Sequence, residues 1–389
     1  MKRIGLASLA AVGLLAAPAL APAQSCSASC GSQVPQTLQW PATGTPVWQM
    51  SVLTPCASSG NNGSGIELRN VSYNGHLVFK RAHNPVLNVK YIQPCGCDCY
   101  RDWIDEERKF QVYKVNPAGG APILATSSGP GNLVDAVQPP VTVCEAGGSG
   151  GDVPAGTGFC GVAVERLADR MVLTTQLAAG WYRYMIKWTF HADGRVEPRF
   201  GFGAVNNPCV SGCTHRHHTY WRLDFDIDGP ANDAISPGDQ GLGTARRVSP
   251  EQMRTLGSTG KGYTVWDTVT QRGYKLVPGA ETVTSPVGAA PSNGGPTWNS
   301  TTYPFDVTDT IILQYKESTP GVPAEVNDGV GLSSCALTTS FLNFMNGEAL
   351  NDDGDVVLWY RGGAEHRAGE LNTCPVVGPV LMPVGDWAP

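Results

Sequence analysis

Short alternations of apolar and polar residues, interrupted every few positions by Gly, Pro, Asn or Asp, run through most of this chain. They predict strands, not helices, because side chains alternate between the two faces of an extended backbone. GIELRNVSYNGHLVFKRA (Gly65–Ala82) reads as two strands joined by Asn74-Gly75, a turn in which glycine supplies positive φ at little cost. RMVLTTQL, YRYMIKWTFHADGRVEPRFGFG, YWRLDFDIDG, DTIILQYKE and DVVLWYRGG have the same character, and Asp193-Gly194 marks a second hairpin. Helical periodicity is scarce. SPEQMRTLG (Ser249–Gly257) predicts one short helix, with Ser249 as cap and Pro250 at the first position, and SSCALTTSFLNFMNG (Ser333–Gly347) predicts another. The expected fold is all-β, a large antiparallel β-sandwich with few short helices.

Composition supports this picture and narrows the compartment. The 47 glycines and 30 prolines in 389 residues suit a chain made of turns and short strands. Met1-Lys2-Arg3, an apolar run from Ile4 to Leu20 and Ala21-Pro22-Ala23 together predict a signal peptide over residues 1–23, and hence a secreted or periplasmic protein. A Cys-containing segment, 24–46, precedes a main domain over 47–389. No later stretch has the ~20 uninterrupted apolar residues of a membrane helix. All 12 cysteines follow the signal, which points to disulfides, with pairing that the sequence leaves open. The net charge of −6 and the lack of a basic cluster point away from nucleic acid and membrane surfaces.

CTHRHHTYWRLDFDIDG (Cys213–Gly229) carries the chemistry. Of the seven histidines in the chain, three fall here in four positions. On a strand His215 and His217 face the same side and His218 the other. Two imidazoles on one face make half of a Cu, Zn, Ni or Fe site. A solvated histidine-rich loop, or a zinc site completed by Cys209 and Cys213, explains the same spacing.

The surrounding residues resemble the catalytic β-sandwich domain of the copper amine oxidases. His215-Arg216-His217, then Arg222-Leu223-Asp224-Phe225-Asp226 and Asp228-Gly229, follow that family's copper motif. DVVLWYRGGAEHR places a third ligand at His366. PVWQM, GIELRNVSYNGHLVFKRA and RMVLTTQLAAGWYRYMIKWTFHADG extend the resemblance from about Val47 to the C-terminus. It implies Cu(II) on His215, His217 and His366, and a topaquinone formed from Tyr182 in Gly180-Trp181-Tyr182-Arg183-Tyr184. The family has Asn where Trp181 stands and an acid where Arg183 stands. Tyr91, in LNVKYIQP, falls where a tyrosine hydrogen-bonds the quinone, and Asp105, fourteen residues on, falls at the catalytic base. A rival alignment matches GCDC (Gly96–Cys99) instead and leaves no base. The first alignment keeps Tyr91, Pro94 and Asp105 in step without a gap. A peripheral Ca²⁺ site is implied at Asp224, Phe225, Asp226, Asp355 and Val356.

The function implied by the resemblance is oxidation of a small primary amine by O2, in a homodimer, to an aldehyde, ammonia and hydrogen peroxide. The alternative is a non-catalytic copper- or zinc-binding relative that kept the fold and lost the quinone.

Overall fold

A computed structural model describes residues 35–54, 58, 65–91, 99–101, 106–107, 113–114, 123–124, 133–136, 162–179, 182–204, 214–238, 247–256, 261–284, 308–315, 345, 347–350, 354–367 and 375–389. For some strand residues, Tyr182 among them, only the backbone is described. Asp105, Trp181, Gly96–Cys97, most of Ser333–Gly347 and residues 1–34 lie outside the described residues, as do the side chains of the cysteines.

Two large sheets face one another. The first has nine strands: β1 (Gln36–Trp40), β2 (Trp48–Leu53), β3 (Glu67–Tyr73), β4 (His76–Tyr91), β5 (Cys99–Arg101), β14 (His215–Phe225), β16 (Gln252–Arg254), β19 (Thr310–Gln314) and β20 (Val356–His366). Their order is β1-β2-β3-β4-β14-β20-β19-β16, with β5 on β4. The second sheet has eleven: β6 (Glu106–Glu107), β9 (Leu133–Ala136), β10 (Val162–Arg166), β11 (Arg170–Ala179), β12 (Tyr182–His191), β13 (Val196–Ala204), β15 (Asp233–Pro237), β17 (Tyr263–Asp267), β18 (Gly273–Val277), β21 (Val376–Val377) and β22 (Val380–Val384). A small ribbon pairs β7 (Tyr113–Lys114) with β8 (Ile123–Leu124). All these pairings are antiparallel except β9 with β10.

The alternation in the sequence becomes the inter-sheet core. Trp48 packs beside Tyr73 in the first sheet and meets Phe190 of the second, and Trp48 Nε1 donates to the His191 carbonyl at 2.7 Å across the gap. Phe79, Phe225 and Tyr274 continue the layer. Each buried aromatic removes a large apolar area from water, so this layer carries much of the force that docks the sheets. Both predicted hairpins form. Asn74 (φ 50°) and Gly75 (φ 85°) turn β3 into β4 with the left-handed pair that a two-residue hairpin needs, and Gly194 (φ 87°) closes β12 onto β13.

One expectation is corrected. The described part of the predicted helix, Ser249–Leu256, is not helical, because Gln252–Arg254 pairs as β16 with β19 at the sheet edge. Met253 packs there on a side cluster containing Ile311 and Trp359. Pairing and burial outweigh a cap and a proline, which are worth little to a helix with no apolar face to bury. Among the described residues the helix present is α1 (Glu281–Thr284), a single turn.

Candidate metal and redox site

β14 is a central strand, and all eleven of its residues are buried. β4 and β20 flank it, and their register builds the site. Tyr91, His215 and His366 lie in one row across the three strands, because His215 pairs with Tyr91 on one side and with His366 on the other. His217 stands two residues along on the same face. The imidazoles of His215 and His217 have centroids 5.2 Å apart, and those of His215 and His366 are 4.9 Å apart. The Tyr91 ring, fully buried, lies 5.0 Å from that of His215. His218 occupies the opposite face near Arg361 and Arg216, as alternation requires.

The second sheet closes over these rings. Tyr184 of β12 and Phe202 of β13 are cross-strand partners, and both reach His217. The Tyr184 Oη is 3.1 Å from His217 Nδ1, and the Phe202 centroid is 3.7 Å from that of the imidazole. Burial, with the nearby His215, His366 and His218, pushes His217 well below the ordinary histidine range. It is therefore neutral at physiological pH, which is the form that offers a lone pair to a metal. The three ring-nitrogen sets are wider than a closed metal site.

Tyr182 opens β12, opposite Ala179 of β11 and Ala204 of β13. By strand alternation position 182 shares a sheet face with position 184, one step further toward the strand end. Asp105 immediately precedes β6, whose Glu106 pairs with Ala178 of β11.

A second group lies at the far end of β14. Carboxylate oxygens of Asp224, Asp226 and Asp355 all fall within 4.8 Å of one another. Phe225 and Val356, the paired ends of β14 and β20, tie these segments together. Arg222 Nη1 donates to Asp224 Oδ2 at 3.1 Å, but Oδ1 of each of the three aspartates has no hydrogen-bond partner. Burial first, then Asp224, raises Asp226 to about 6. Burial, then Asp224 and Asp226, raises Asp355 to about 9. Asp233, wholly buried on β15, joins them. Burial, Asp226, Asp355 and Asp267 push it up to about 10, with partial relief from the Ile227 amide. Clustered buried carboxylates either hold protons or hold a cation, and hard oxygen donors suit Ca²⁺. Asp233 was not foreseen, since one Asp in ANDAISP carries no motif. Tyr184 lay inside a recognised motif, but nothing in the sequence gave it a partner.

A cavity of about 590 Å³ opens beside β20, lined by Arg199, Glu281, Thr284, Glu365, Arg367 and Val376 among others. Glu365 precedes His366 in sequence, yet neither the histidines nor Tyr91 line this cavity.

No family profile and no curated protein matches the sequence. Solved structures do. A copper-containing benzylamine oxidase from Hansenula polymorpha superposes with a TM-score of 0.52 over 90% of this chain and 62% of its own, at 13% identity. An Aspergillus nidulans amine oxidase gives 0.51 over 87% of this chain and 50% of its own, at 14% identity. The fold is copper amine oxidase-like. The chain spans between half and two thirds of the length of these two structures. At such identity the likeness speaks for the fold, and function has to be argued from the site.

Proposed function

We propose that this chain is a copper- and topaquinone-dependent oxidase of small primary amines. The reading rests on one observation above the others. Three buried histidines and Tyr91 converge on one face of three adjacent strands, in a copper amine oxidase-like fold. The donor set fits the metal, because neutral imidazoles are ligands of choice for Cu(II). His215, His217 and His366 would hold it. When bound, copper supplies redox chemistry with O2, and the quinone made from Tyr182 supplies the electrophilic carbonyl that no unmodified side chain offers. Tyr91 orients the reacting ring by hydrogen bonding, and Asp105 takes the proton from the carbon next to the amine nitrogen. The burial of the histidine face keeps bulk water from competing for these positions. The net reaction consumes amine, O2 and water and yields aldehyde, ammonia and hydrogen peroxide. The signal-like N-terminus supports a secreted or periplasmic location, and the resemblance supports a homodimer.

The deciding experiment is aerobic copper loading of metal-free protein. A visible quinone chromophore that reacts with phenylhydrazine should appear in the wild type and be missing in Tyr182→Phe. Trp181 and Arg183, which depart from the family motif, favour a second reading, a copper-binding protein without the quinone. An unmodified Tyr182 peptide in fully copper-loaded, aerated protein would establish that second reading.

The aspartate cluster is read as a structural Ca²⁺ site formed by Asp224, Asp226 and Asp355, with Phe225 and Val356 as the backbone between them. Calcium added to chelator-treated protein should raise its melting temperature by several degrees, since free ion at 100 times Kd contributes about 2.7 kcal/mol. The double variant Asp226→Asn/Asp355→Asn should lose the response. An equal rise in that variant would remove the site.

A further inference from the structure

We propose that Tyr184 is a positioning residue for copper: its phenol oxygen engages His217 Nδ1 and so commits Nε2 to the metal. The inference rests on the copper reading above and goes beyond it, because no motif gives Tyr184 a role.

The contact crosses the sandwich. His217 belongs to the first sheet and Tyr184 to the second, both about 1% exposed, with 3.1 Å between Oη and Nδ1. An imidazole has two nitrogens on opposite sides of the ring, and one that is occupied leaves the other for coordination. If Nε2 binds the ion it carries no proton. Nδ1–H is then the donor and the Tyr184 oxygen the acceptor. A phenol accepts this bond, whereas the same ring without its hydroxyl does not. Phe202 supplies the second constraint. Its ring lies against the imidazole, with planes 32° apart, while Tyr184 meets it nearly edge-on at 73°. The hydrogen bond fixes rotation about the Cβ–Cγ bond, and the Phe202 face limits tilt. Tyr184 is itself held by Phe200 and Phe202, with centroids at 5.3 and 6.3 Å, so its place does not depend on the hydrogen bond. Removing the hydroxyl alone therefore separates metal positioning from packing.

The test uses metal-free full-length wild type, Tyr184→Phe and His366→Ala, with Cu(II) alone as the probe and no amine. Chelator competition gives the copper dissociation constant, and EPR reports the ligand field. Wild type should bind one copper. Tyr184→Phe should melt like the wild type when metal-free, bind copper about 10–100-fold more weakly, and show an altered Cu(II) hyperfine pattern. Unchanged affinity with an unchanged spectrum in Tyr184→Phe overturns the assignment while leaving the copper reading standing. A wild type that binds no copper sinks both. Should Tyr184→Phe fail to fold, a crystal structure of the copper-loaded wild type decides. Copper on Nδ1 of His217, or a phenol turned away from it, overturns the proposal.

Discussion

Alanine at His366 should leave the protein nearly free of copper. The residue sits directly opposite His215 in the β14–β20 ladder, and losing it leaves two imidazoles on a single strand. Removing a group that merely supports a metal ligand costs about 10–100-fold in affinity, and loss of the ligand itself should exceed that. The informative control is His218→Ala. His218 belongs to the same histidine-rich run but points to the other face, beside Arg361 and Arg216. It should keep a full equivalent of copper. Metal analysis after exhaustive dialysis reads both variants. Full copper in a folded His366→Ala, or its loss from a folded His218→Ala, would mean that the ligand set is misassigned.

Asp105→Asn should produce the second large effect, and on a different step. The variant should bind copper and develop the quinone chromophore, because neither process needs a base at this position. Its anaerobic bleaching by a simple primary amine should then be slower by about 10²–10⁴, since an amide does not accept the proton. Asp102→Asn, three residues away, is the comparison, and it should bleach at the wild-type rate. Stopped-flow absorbance gives both numbers. Equal rates in wild type and Asp105→Asn would take Asp105 out of the mechanism and revive the alignment that matches Gly96–Cys99.

The strands were legible because their signals are local. Asn74-Gly75 needs only its own backbone to turn, and alternation in RMVLTTQL shows a buried face whatever lies beneath it. The pair His215 and His217 was legible for the same reason, since one strand sets their common face. Ser249–Gly257 misled because its local signals point to a helix, while the partner that makes it a strand, β19, lies far away in sequence. Tyr184 and Asp233 were hidden for a related reason. Their importance comes from what faces them across the sandwich, His217 in one case and Asp226 with Asp355 in the other. His366 is the exception among long-range partners. Its place was readable only through the resemblance, and the β14–β20 ladder sets it opposite His215.

The row formed by Tyr91, His215 and His366 has a kinetic meaning. Its three strands come from widely separated parts of the chain, so the row exists only after two long loops have closed, a slow kind of event during folding. On the copper reading proposed above, the complete three-histidine site exists only once these strands have paired, so added copper should not speed folding. A slip of one residue in β20 would turn His366 to the other face. A metal held by this row would act as a latch on finished register. Its contribution should appear as slower unfolding of the loaded protein, with the refolding rate left where it was.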